Sequence, residues 1–128
     1  MLSVTPISEK VIQHKNEWIT VGRKILAHYG CAETPAEIGK CIDMWKKDHR
    51  VAEQEMIDGL GFLFGEWIVT EHGGSWVWVS DSFGEIPAIQ RVPGGSITYA
   101  LDVVSKRLRD GSIAARELPS IADVYAMR

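Results

Sequence analysis

Ser75-Trp76-Val77-Trp78-Val79-Ser80 is the stretch on which the fold turns. Up to His72 the apolar residues recur at helical spacing; from Ser75 they alternate with period two, and the residues are β-branched or aromatic. The two tryptophans share one side of the strand and the two valines the other, so both faces are apolar. Asp81-Ser82-Phe83-Gly84 has turn chemistry, and residues 85–92 return as a second strand. Pro87 marks that strand as an edge, or gives it a bulge, because proline cannot donate to a ladder. Pro93-Gly94-Gly95 turns the chain again into a short third strand, Ser96-Ile97-Thr98-Tyr99. The result is a three-stranded antiparallel meander.

Helices precede and follow it. Residues 8–29 carry Val11, Ile12, Trp18, Ile19, Ile25, Leu26 and Tyr29 near helical spacing, and Gly30 is a natural stop. Thr34-Pro35-Ala36-Glu37 announces a second helix. Thr34 is placed to cap the Glu37 N–H, Pro35 suits the first helical position, and Glu37 is placed to reach back to Thr34. Ile38, Cys41, Ile42 and Trp45 then form an apolar stripe, closed by Lys46-Lys47-Asp48-His49-Arg50, whose cations suit a helix C-terminus. Residues 51–71 predict a third, more buried helix. Gly59, Gly61 and Gly65 lie inside it at a cost of about 1 kcal/mol each against alanine, which implies close approach of another backbone. Leu101, Val104 and Leu108 open a fourth helix ending at Gly111, and the tail with Pro119 predicts a short helical turn near residues 121–125. The expected class is α+β: N-terminal helices packed on the meander, then a C-terminal helix, in a single domain over residues 1–128.

Composition narrows the function classes. The 128 residues are 45% hydrophobic and 24% charged, ordinary for a globular chain. There is no run of about 18 apolar residues, and Met1-Leu2-Ser3-Val4-Thr5-Pro6 lacks the pattern of a leader, so a cytoplasmic protein without a membrane span is expected. In that compartment Cys31 and Cys41 are expected as free thiols. Charge is uneven. Residues 1–50 hold eight Lys/Arg and six Asp/Glu, a net of +2; residues 51–128 hold six and eleven, a net of −5. Between Arg50 and Arg91 there is no cation, but there are seven carboxylates, Glu53, Glu55, Asp58, Glu66, Glu71, Asp81 and Glu85. Such a segment favours a basic partner and repels nucleic-acid phosphate. The small basic cluster Lys106, Arg107 and Arg109 does not reverse that balance.

Candidate chemistry is sparse. Glu66, beside Trp67 in an apolar helix, is an acid or base candidate with His72 or Asp81, although a helical carboxylate that bonds a neighbour explains it as well. His72-Gly73-Gly74-Ser75 has no Gly-x-Ser-x-Gly elbow, and a helix stop explains it. Gly59-x-Gly61-x-x-x-Gly65 misses the dinucleotide fingerprint by one residue and follows no strand. His14, His28, Cys31, Cys41, His49 and His72 fit no zinc spacing, so neither a metal nor a cofactor is expected. For surface recognition the candidates are Trp78, Asp81, Phe83, Glu85, Glu71 and Asp58, aromatic anchors beside carboxylates.

Gly61-Phe62-Leu63-Phe64-Gly65-Glu66-Trp67, Trp76-Val77-Trp78-Val79-Ser80-Asp81, Phe83-Gly84 and the close Lys106-Arg107-Leu108 together resemble a bacterial family, domain of unknown function 3806, over about residues 53–110. Where members often open the last helix with proline, this chain has Ala100-Leu101. The resemblance implies the helix–meander–helix order and a bacterial cytoplasmic protein; it implies no activity. The function expected is a non-enzymatic binding module, an immunity-type inhibitor that occludes a toxin or effector with a basic surface. The alternative is a small hydrolase or isomerase using Glu66 with His72 or Asp81.

Overall fold

The computed structural model describes residues 2–82 and 84–127. The chain is α+β and runs β1 (Ser3–Pro6), α1 (Glu9–Tyr29), α2 (Pro35–Asp48), α3 (Glu53–His72), β2 (Ser75–Asp81), β3 (Gly84–Gln90), β4 (Ile97–Thr98), α4 (Ala100–Arg109) and α5 (Ala114–Ala126). The sheet is antiparallel throughout, in the order β1-β2-β3-β4.

The caps written into the sequence form. Ser8 accepts from the Val11 N–H at 3.3 Å and Thr34 from the Glu37 N–H at 3.2 Å, so each satisfies an orphan donor of its first turn. Glu37, however, accepts from the Ala32 N–H at 3.4 Å and so braces the α1–α2 turn. Gly30 ends α1 in the left-handed region, at φ 69°.

Helix α3 is the axis of the molecule, with α1 and α4 lying along it. Its glycines mark those approaches. A β-carbon at Gly59 would stand 3.1 Å from the Gly22 nitrogen of α1, and one at Gly61 only 2.9 Å from the Leu101 Cα of α4. Gly65 instead receives a side chain: a β-carbon there would stand 2.5 Å from the Trp76 ring. The helical cost of these glycines is thus offset by close packing.

Trp76 therefore docks the sheet. It is buried with Phe64, Leu60, Ile68 and Ile89 in the main core. On the other face Val77, Val79 and Ala88 form a smaller cluster with Ile86, Ile97 and Tyr99. Trp78 pairs with Pro87, beyond the two-residue reach of β4, so Pro87 lies where β3 is an edge.

The structure adds two elements to the sequence reading. Strand β1 pairs Ser3–Pro6 with Val77–Ser80, a fourth strand before the expected three. All four of its residues are exposed, so it carries no burial pattern to betray it. Helix α5 spans thirteen residues in place of a short turn, through Pro119. Its N-terminus is capped from afar. The Asp43 carboxylate on α2 accepts from the Ala114 N–H at 2.9 Å and the Ala115 N–H at 3.1 Å. Helix α5 lies along α2, and the Tyr125 hydroxyl donates to the Gly73 carbonyl at 2.8 Å.

Candidate functional site

An open groove of about 580 Å³ lies where α1, α3, the sheet and α4 meet. Helix α1 supplies Val11, His14, Glu17 and Trp18 on one wall, with Lys10 at its outer end. Helix α3 supplies Asp58 and Phe62, the sheet supplies Trp78 and Pro87, and α4 closes the end with Leu101. The placement follows from local sequence. His14 and Trp18 are one helical turn apart, so they share a face. Trp78 and Pro87 are register partners on adjoining strands, so their side chains leave the same side of the sheet.

The base of the groove is a packed aromatic pair. Phe62 lies against Trp76, ring centroids 5.5 Å apart, and both are buried. The Trp18 indole N–H donates to His14 Nε2 at 3.0 Å. In that bond Nε2 is the acceptor.

Beneath it sits a polar triad. Lys15 Nζ lies 2.8 Å from Glu66 Oε2, and the Trp76 indole N–H donates to Glu66 Oε1 at 3.3 Å. The same ammonium stands 5.7 Å from the Trp76 ring centroid. Both Glu66 oxygens are thus engaged by neighbours that also hold the sheet to α1 and α3. His72, at the end of α3, meets Trp67 edge-on, ring centroids 5.7 Å apart. Asp81 is five residues along β2 from Trp76, about 16 Å at strand rise, and leaves the opposite face of the sheet. Glu66, His72 and Asp81 do not converge.

The residues expected at a recognition surface divide. Trp78 and Asp58 line the groove. Glu85 shares the Trp78 face of the sheet but lies further out, beside the hairpin turn, and is exposed. Asp81 leaves the other face, because strand alternation separates it from Glu85, the register partner of Ser80. Glu71 lies in the last turn of α3, in a separate depression with Arg23, Glu33 and Trp67. Phe83 lies outside the described residues. The seven carboxylates do not form one acidic face, and at least two are matched by cations from elsewhere in the chain. Glu53 meets Arg109 at 2.8 Å and Glu66 meets Lys15. A stretch without cations in sequence is supplied with them in space.

Trp18, Phe62 and His14 were not among the expected site residues. Trp18 belongs to the apolar stripe of α1 and is half-buried. The His14-x-x-x-Trp18 spacing was the available signal.

Other polar groups serve the structure. The Tyr29 hydroxyl donates to Asp48 Oδ1 at 2.6 Å. Burial and the Asp48 contact push the Tyr29 hydroxyl up to about 12, and the hydrogen bonds from Tyr29 and the Arg50 N–H hold Asp48 below the usual carboxylate range. Cys31 and Cys41 are free; burial pushes Cys41 up to about 12 and Cys31 in the same direction, which leaves both thiols poor nucleophiles. Among the described residues no group of three or more His, Cys, Asp or Glu is placed to hold a metal ion, and no helix is long and apolar enough to cross a membrane.

A family model described as Domain of unknown function (DUF3806) matches residues 42–116. The span runs from the second half of α2 to the start of α5. It contains the α3, sheet and α4 walls of the groove and leaves out the α1 wall. No curated protein and no solved structure matches the chain.

Proposed function

For a chain that belongs to the DUF3806 family, we propose a non-enzymatic role: a binding module that captures a protein partner in the groove between α1, α3 and the sheet. The observation that carries the reading is the groove itself, an open aromatic trough over a braced base. Concave, mostly apolar sites with a few placed polar groups are where proteins bind ligands, and half-exposed tryptophans make effective anchors. The engagement of Glu66 by Lys15 and Trp76 weighs against the hydrolase or isomerase reading.

In its finest form the proposal is a bacterial, cytoplasmic, immunity-type inhibitor that occludes a toxin or effector. The partner need not present a broad basic face, since the acidic residues of the middle segment point apart. A protruding side chain that enters the trough suffices.

Affinity capture from native lysate tests the groove against the hairpin. The chain, its Trp18→Ala/Trp78→Ala variant and its Asp81→Lys/Glu85→Lys variant are used as baits, each first shown to be folded by circular dichroism. The groove variant is expected to lose the partner that the hairpin variant retains. Full capture by the groove variant refutes the proposal.

A further inference from the structure

We infer that the groove receives an arginine side chain of the partner, its guanidinium against the tryptophan faces and its N–H groups on Glu17 and Asp58. The inference rests on the binding reading above and adds the chemistry of what is bound.

Three observations carry it. The first is the charge of the walls. Glu17 on α1 and Asp58 on α3 both line the groove. Glu17 has no hydrogen-bond or ion-pair partner among the described residues, and Asp58 meets only the neutral Gln54 amide, at 3.0 Å. Among the described residues Lys10 is the one lysine or arginine of the lining. Two negative charges thus face one positive charge, and a neutral apolar occupant would strip water from the carboxylates without replacing it.

The second is the aromatic lining. The face of an indole attracts a cation, more strongly than phenylalanine or tyrosine does, and Trp18 and Trp78 both border this space. An anion would meet the negative faces of the rings and both carboxylates. The third is the neighbouring triad, where the fold already satisfies a cation in this way. Lys15 lies against the Trp76 ring at 5.7 Å and bonds Glu66 at 2.8 Å. Trp76 in turn backs Phe62 in the groove lining. Arginine suits the open site better than lysine, because its planar fork stacks on a ring while donating to two acceptors and gives up its hydration more readily.

The test is a titration of the ¹⁵N-labelled 128-residue chain with three capped tripeptides, Gly-Arg-Gly, Gly-Lys-Gly and Gly-citrulline-Gly. The five tryptophan indole resonances are assigned by Trp→Phe substitution. The arginine peptide is expected to move the Trp18 and Trp78 signals to saturation, about tenfold more tightly than its neutral citrulline isostere. Glu17→Gln/Asp58→Asn is expected to abolish that preference while the indole spectrum stays folded. Equal binding of arginine and citrulline, equal binding of lysine, or an arginine peptide that leaves Trp18 and Trp78 unmoved overturns the inference. If the peptides fail but Trp18→Ala/Trp78→Ala still loses the captured partner, the arginine assignment falls and the binding module stands. If capture survives as well, both fall.

Discussion

Replacing Glu66 by glutamine removes one charge and keeps an oxygen for the Trp76 indole, so it isolates what the carboxylate does for Lys15. The Lys15 side chain is 10% exposed and the Glu66 side chain 28%. Stripping one partner from a fully buried pair costs about 3–5 kcal/mol, because the other charge is left in a poor medium. The access of water to Glu66 reduces this, and we expect a loss of about 2 kcal/mol. Lys15→Met leaves the more exposed charge, still bonded by Trp76, and is expected to cost about 1 kcal/mol. Together they remove the whole pair, and the double variant is expected to be more stable than Glu66→Gln alone, which requires a coupling above about 1 kcal/mol. Urea unfolding followed by tryptophan fluorescence measures all four proteins. With a slope of about 1–3 kcal/mol/M, a 2 kcal/mol loss moves the midpoint by roughly 1 M. A Glu66→Gln midpoint indistinguishable from the parent, with no coupling in the cycle, would refute the structural role given to this triad and reopen a chemical role for Glu66.

Three further outcomes are expected. Gly65→Ala drives a β-carbon into the Trp76 ring and should lower stability by about 2 kcal/mol in a thermal melt, whereas Gly111→Ala, with open space around it, should be neutral within about 0.5 kcal/mol. Asp43→Ala removes both cap bonds of α5 and should cost about 1–2 kcal/mol by urea titration, with faster amide exchange at Ala114 and Ala115. Asp48 and Asp110 both have carboxyls held low, so the stability they add is present above the unfolded value of about 3.9 and is lost as pH falls through their lower folded values. Asp48→Asn/Asp110→Asn should therefore flatten the acid limb of a stability-against-pH curve below pH about 4, and an unchanged limb would rule out that contribution.

What the sequence made legible was what neighbours along the chain decide. The Thr34 cap, the Gly30 stop, the switch of period at Ser75 and the spacing of Gly59 and Gly61 are local signals, and each led to the right element or approach. The additions come from residues far apart. Asp43 caps α5 from 71 positions away, so no reading of the tail alone could extend its helix. Strand β1 is held by its ladder with β2 and buries none of its own residues. The site follows the same division. Trp78 and Asp58 were legible as an anchor and a carboxylate, but the groove exists because α1 lays Trp18 and Glu17 beside them. The supposed acidic face failed through two rules of geometry. Alternation along a strand parts Asp81 from Glu85, and distant cations, Lys15 and Arg109, reach Glu66 and Glu53.

The docking of α5 along α2 has a consequence for biosynthesis. Ile38, Cys41 and Ile42 leave the ribosome some eighty residues before Leu118, Ala122 and Tyr125, which share their core. Until those later residues emerge, a nascent chain carries an uncovered greasy stripe on its second helix, the kind of surface that chaperones hold and that sticks to other unfinished chains. A release factor acting early, near residue 110, would free a polypeptide with its sheet complete and its flank bare, so yield in the cell should depend on prompt synthesis of α5 as much as on the strength of the finished fold.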